Sequence, residues 1–121
     1  MKKRTDPRHL KRIKLIQSLF SWNFQPKVKS PKEIAPILKH LKEIDELIST
    51  SAPDRPIHQI NKVDLAILRL AIFELIIKEG TPPKVVIDEA VELGKEFGSD
   101  TSASFVNGAL GKLIKDKEIK T

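Results

Sequence analysis

The sequence predicts an all-α fold, and three observations carry that expectation. Apolar residues recur at helical spacing in segments bounded by caps and breakers. One segment, Val63 to Ile77, is apolar nearly all the way round and belongs in the middle of a bundle. No segment shows sustained period-two alternation with turn residues, and no internal repeat appears. At 121 residues, with 40% hydrophobic and 31% charged side chains, the chain has the composition of one small globular domain.

Asp6 followed by Pro7 opens the first helix, which runs to about Trp22. On a helical wheel Leu10, Ile13, Ile16, Gln17 and Phe20 form the face expected to pack, and Arg4, Arg8, Lys11 and Arg12 form the opposite, solvated one. Ser30-Pro31-Lys32-Glu33 has capping-box spacing, but Pro36 delays the regular second helix to Ala35 or Pro36. From Ile37 the set Leu38, Leu41, Ile44, Leu47 and Ile48 keeps the helical period to about Ser49. The break at Ser49 to Pro56 divides the single domain, residues 1–121, into a basic sub-bundle (1–50) and a second sub-bundle (57–121).

Asn61 caps the third helix, which Gly80 ends. Thr81-Pro82-Pro83 starts a fourth through Phe97, with Val86, Ala90, Val91 and Leu93 inward and Gly98 as the stop. The last helix follows Ser99 to Ser102 and carries Phe105, Val106, Leu110, Leu113 and Ile114, giving five substantial helices. Each interior glycine costs a helix about 1 kcal/mol, so Gly108 and Gly111, beside Ala109, are expected where a neighbouring helix approaches closely.

The net charge of +6 is uneven. Residues 1–30 hold nine basic side chains and one acid, a net +8, while the rest of the chain is slightly acidic. A basic arm on a near-neutral body is the electrostatic footprint of a nucleic-acid binder. The absence of cysteine excludes disulfides and thiolate metal sites. Lys11, Arg12 and Lys14 interrupt any secretory core, and Leu65 to Ile77 is too short and too charged to cross a membrane. The expectation is a cytoplasmic protein without a membrane segment.

Catalytic signals are lacking. His9, His40 and His58 have no partner at metal-ligand spacing, and Asp45-Glu46 and Asp88-Glu89 read as solvated helix faces. There is no glycine-rich phosphate loop and no nucleophile elbow. The expected protein is not an enzyme and takes no cofactor. Arg69 lies in an apolar helix and needs a carboxylate partner, for which Glu74 and Glu89 are the candidates.

Several ordered motifs together carry a resemblance. Val63-Asp64-Leu65-Ala66-Ile67-Leu68-Arg69-Leu70-Ala71-Ile72-Phe73-Glu74-Leu75 is followed by Pro82-Pro83-Lys84-Val85-Val86-Ile87-Asp88-Glu89-Ala90-Val91-Glu92-Leu93, then Phe97-Gly98 and Phe105-Val106-Asn107-Gly108-Ala109-Leu110. In order and spacing these resemble the bacterial NusB transcription antitermination family, and Gln17-Ser18-Leu19-Phe20-Ser21-Trp22 looks like the end of its Arg-rich first helix. The resemblance implies two small helical bundles packed across each other. It also implies binding of the single-stranded boxA element of ribosomal RNA leader transcripts, pairing with the small-subunit ribosomal protein NusE, and indirect contact with other Nus factors and RNA polymerase.

With Arg4 from the basic arm, the resemblance assigns Arg8, His9, Arg12, Phe20, Phe105 and the Asp100-Thr101-Ser102 loop to the RNA face. It assigns Asp64 to the NusE-facing side. The stretch from Trp22 to Ile57 is shorter than usual, so a reduced N-terminal bundle is expected. Phosphates would meet the basic arm and bases would stack on exposed rings. The alternatives are a protein-only helical adaptor and the NusB-like module of ribosomal RNA methyltransferases; those methyltransferase chains continue into a catalytic domain, whereas this one stops at Thr121.

Overall fold

A computed structural model of the chain describes residues 6–26 and 31–121. Six α-helices follow in order among them: α1 Pro7–Phe24, α2 Ala35–Lys39, α3 Leu41–Ser51, α4 Lys62–Ile72, α5 Pro83–Phe97 and α6 Ser102–Asp116. No strand occurs among the described residues. The proposed capping serine, Ser30, lies outside them. In place of one long second helix the chain forms a 3₁₀ turn at Lys32–Ile34, the short α2, and a new start after His40. Pro36 is accommodated in the first turn of α2, where its missing N–H has no intrahelical acceptor to lose.

Helix α4 is the centre of the molecule, as its all-round apolarity predicts. Asn61 caps it by accepting from the N–H groups of Val63 and Asp64, and every residue from Asp64 to Ile72 is buried. The helix widens into a π-helical turn at Phe73–Lys78, and Glu79 (φ 54°) and Gly80 (φ 99°) turn the chain through left-handed conformations. Helices α1, α3, α5 and α6 all pack on α4, and α5 lies along α6. Helix α1 runs antiparallel to α4: Phe20 lies by Val63 and Ala66 at one end, while Arg12 reaches Glu74 at the other.

The face of α1 that packs is not the one its hydrophobicity suggests. His9, Arg12, Ile16 and Leu19 are buried, whereas Leu10 is 49% exposed and Gln17 and Phe20 are exposed too. The helix is rotated by roughly a quarter-turn from the apolar wheel. Interior carboxylates explain the rotation. The guanidinium of Arg12, in a residue only 8% exposed, donates from Nε and Nη2 to the two oxygens of Glu74 at 2.9 and 2.7 Å, and from Nη1 to Glu89 at 3.1 Å.

Arg69 makes the second such fastening, with a partner other than the two anticipated. Its Nε and Nη2 donate to both oxygens of Asp45, each at 3.0 Å, and Nη1 donates to the Asn23 side-chain oxygen at 2.9 Å. Glu74 and Glu89 are already engaged by Arg12, so Arg69 turns to α3. Glu89 is therefore a buried structural acid and Asp45 a partly exposed one held in an ion pair.

Two glycine expectations are also corrected. Gly108 and Gly111 face open space, with no atom within 4 Å of an added Cβ. The close approach of α5 to α6 is made at Gly94, where a Cβ would stand 3.2 Å from backbone atoms of Ala103.

Removing one partner of a buried ion pair leaves the other desolvated and uncompensated. Arg12→Ala is therefore expected to lower unfolding stability by about 3–5 kcal/mol, and Arg8→Ala, one turn earlier but exposed, to leave it nearly unchanged. Urea titration of both variants checks this, and equal midpoints would contradict it.

Candidate nucleic-acid interface

Because α1 turns His9 and Arg12 inward, its outer surface is set by the residues between them. Arg8, Lys11, Lys14, Gln17 and Phe20 are spaced three apart, and all are exposed. Successive positions step by about 60° round the helix, so the five rise roughly 18 Å along its axis while winding through about 240°, from an Arg8 edge of the exposed surface to a Phe20 edge. Three cations begin the row and an aromatic ring ends it. The Arg8 side chain is 81% exposed and shares a 3.3 Å contact with Asp6, which also caps the helix by accepting the Arg8 backbone N–H at 2.8 Å. Lys11 and Lys14 have no ion pair among the described residues.

At the end of the row the rings of Phe20 and Phe24 meet edge to face, 4.9 Å between centroids and 67° between planes. Phe20 also walls an apolar groove of about 250 Å³ with Val63, Ala66 and Phe97. Phe97, Phe24 and Lys14 were not singled out as site residues from the sequence. The i+3 spacing from Arg8 through Lys14 is a signal in the sequence, whereas the exposure of Phe24 and Phe97 is set by tertiary packing.

His9 is placed differently from a solvent-facing cation. Its Nδ1 lies 2.9 Å from Glu89 Oε2 and its Nε2 3.0 Å from Glu96 Oε2. Both ring nitrogens can donate only in the imidazolium form. The hydrogen bond to Glu89 raises the His9 pKa against the opposing effect of burial, and Glu96 adds to the rise. Arg12, likewise assigned to the RNA face from the sequence, is held above the ordinary guanidinium value chiefly by its hydrogen bonds to Glu74. Both side chains face inward because interior carboxylates on α5 and the π turn are their nearest counter-charges. Neither belongs to the outer row.

The remaining assigned residues are dispersed. Arg4 lies outside the described residues. Asp100 and Thr101 are exposed in the α5–α6 turn, but Ser102 is fully buried, its hydroxyl accepting the Ser99 N–H at 2.8 Å. Phe105 lies in a second groove, between the end of α3 and α6, which shares no lining residue with the Phe20 groove. Its ring is covered by the guanidinium of Arg55, 4.1 Å from the centroid. Asp64 is 2% exposed, and its Oδ1 has no hydrogen-bond partner among the described residues.

The His9 clamp makes stability depend on pH. Folding raises the His9 pKa above its ordinary value of 6.5, so the stability it contributes is complete below that value and is lost as pH rises through the folded-state pKa. Urea midpoints of the wild type are expected to fall more steeply as pH rises above 6.5 than those of His9→Gln. Parallel profiles would remove His9 as the source.

Comparison with known proteins bears on this geometry. The model of the NusB family matches residues 32–115. The transcription antitermination protein NusB of Chloroflexus aggregans is 53% identical over 78 residues, which are 63% of this chain and 52% of the relative. That of Treponema denticola is 39% identical over 105 residues, 81% of this chain and 76% of the relative. The chain spans about half the length of most of the curated relatives it matches. Among solved structures, T. maritima NusB superposes with a TM-score of 0.82 at 30% identity, covering 92% of each chain. A structure of the antitermination factors NusB and NusE in complex with dsRNA shares the fold, with a TM-score of 0.76 at 23% identity over 92% of this chain and 99% of that one. The helical order, the family match across α2 to α6 and the extent of the similarity to the Treponema protein together place this chain in the NusB family.

Proposed function

We propose that the chain is a non-catalytic transcription antitermination factor that binds boxA-type single-stranded RNA of ribosomal leader transcripts together with NusE. The row on α1 carries this reading. Cations at Arg8, Lys11 and Lys14 are followed, past Gln17, by exposed rings at Phe20 and Phe24. Such a sequence of charge then aromatic surface suits a flexible strand: phosphates release counterions at one end, and unstacked bases find a π face at the other. The interior cations are neutralised by Glu74, Glu89 and Asp45, so the outer ones dominate the local field.

Membership of the NusB family supports antitermination as the process, and the NusB–NusE–RNA assembly among the fold neighbours supports both partners. That neighbour holds double-stranded RNA, whereas the stacking surface here favours an unpaired strand. His9 and Arg12 have a positioning role in this reading: they fix the rotation of α1 from within. Among the described residues no helix is long and apolar enough to cross a membrane.

The test is the salt dependence of binding to a boxA oligonucleotide, its scrambled sequence and a duplex, each with and without NusE. Replacing Arg8, Lys11 and Lys14 together by Ala is expected to weaken binding and to flatten the log–log salt slope by about 0.7 for each phosphate that is no longer neutralised. An unchanged slope would remove the row from the site. Absence of RNA binding in every condition, with NusE still captured, would favour the protein-only adaptor.

A further inference from the structure

His9 is the one buried histidine, and its contacts leave it a task beyond fixing the rotation of α1. Its two ring nitrogens meet two different carboxylates of α5, Glu89 at 2.9 Å and Glu96 at 3.0 Å. Both contacts are hydrogen bonds only while both nitrogens carry protons; in the neutral ring one nitrogen turns a lone pair toward a carboxylate. Glu89 and Glu96 are the charged groups of α5 that act on the ring. Behind them stands Glu74 of the π turn, joined through Arg12, which also donates to Glu89. The charges of α4 lie toward the other end of α1, where Arg69 is held by Asp45 and Asn23, and where Asp64 follows Val63 of the Phe20 groove. At the start of α1, Asp6 pairs with Arg8. With the imidazolium present, His9, Arg12, Glu74, Glu89 and Glu96 carry one net negative charge; without its proton they carry two. Arg8 and Lys11 lie within one helix diameter of His9, about 10 Å, which is about one Debye length at 0.1 M salt. Glu96, with a side chain 37% exposed, brings part of this negative charge to the surface.

We propose that RNA binding on α1 is linked to a proton on His9: the charged ring, bridging Glu89 and Glu96, holds the start of the helix in place and offsets interior negative charge, and its deprotonation weakens the hold on RNA. The inference rests on the RNA-binding reading above and adds its regulation. Two effects act in the same direction. Deprotonation removes one of the two fastenings of the first turn of α1 to α5, and so loosens the backbone that carries Arg8 and leads to Lys11. It also adds one unit of negative charge beside cations that a phosphate chain must approach. Linkage is reciprocal: if the proton favours RNA, RNA favours the proton, so the chain takes one up from the buffer as RNA binds. Affinity is full below 6.5 and falls as pH rises through the folded-state value, which the hydrogen bond to Glu89 chiefly raises. His9 is a positioning residue in this account, acting on RNA through the helix and its field.

The experiment is anisotropy titration of the full chain with the boxA oligonucleotide at a series of pH values from 6.5 upward, using the wild type, His9→Gln, His9→Arg and Glu96→Gln. Calorimetry in buffers of different ionisation enthalpy, at the steepest part of the wild-type profile, counts the protons taken up. Wild-type affinity is expected to fall about fivefold across the profile, with uptake of about 0.4 proton per RNA at its steepest point. His9→Gln should start about fivefold weaker and stay flat, with no uptake. His9→Arg, permanently charged, should keep the wild-type affinity of the lowest pH and also stay flat, which a merely structural role for the ring would not produce. Glu96→Gln, at a half-exposed position, should move the fall to lower pH by removing one of the two carboxylates that favour the proton. Lysine titration near about pH 10.4 is common to all four chains and cancels in the comparison. A fall in His9→Gln or His9→Arg that matches the wild type overturns the linkage, as does proton uptake that persists in either. If the wild type binds RNA equally at every pH while the α1 row variant loses it, the linkage alone falls. If the wild type binds no RNA at any pH, the reading beneath it falls as well.

Discussion

Arg12 enters the interior with its charge intact, and the outer surface of α1 follows from where that charge is satisfied. Its guanidinium bridges Glu74 in the π turn and Glu89 on α5, while His9, one turn earlier, bridges Glu89 and Glu96. Together these contacts hold three segments that are distant in sequence. A buried charge of this kind adds little net stability over a well-packed apolar group, but leaving one partner alone is costly, so the arrangement specifies one rotation of the helix. That rotation turns Leu10, Gln17 and Phe20 outward and leaves Ile16 and Leu19 to pack on α4.

The same constraint separates two kinds of cation on a single helix. The inward pair is consumed by carboxylates and fixes geometry. Of the outward set, Lys11 and Lys14 keep their field available to a polyanion, while Arg8 is exposed but shares its charge with Asp6. Arg69 repeats the device at the other end of the core, tying α4 to α3 through Asp45 and to the end of α1 through Asn23. Both ends of α1 are thereby referenced to α4, and the intervening surface can present charge and rings in a fixed order.

Much of the fold is legible in local sequence. Asp6-Pro7, Asn61, Pro82-Pro83 and Gly98 mark helix boundaries because capping and breaking are short-range effects. The apolar run from Leu65 to Ile72 identifies the central helix for the same reason. The rotation of α1 is not legible that way, since the groups that set it lie 62 to 87 residues away from His9 and Arg12. Hydrophobic periodicity weighs Arg12 as a surface residue and Phe20 as a core residue. Each weighting is reversed by a carboxylate that no local window contains. The pairing of Arg55 with Phe105 is hidden similarly, being a contact between two elements that are separated by all of α4 and α5.

Which side of α1 meets solvent, and whether that side meets the transcript, decides everything else. The chain has no cysteine, so single cysteines can report both. Thiol labelling should be followed at Lys11→Cys, Lys14→Cys and Gln17→Cys, with Leu19→Cys as the inward control and Lys84→Cys as a remote exposed control, before and after addition of single-stranded RNA. Rapid labelling at 11, 14 and 17, slow labelling at 19, and protection by RNA at the first three alone is the predicted result. Slow labelling at 11, 14 and 17, or protection at position 84 to the same degree, would contradict it.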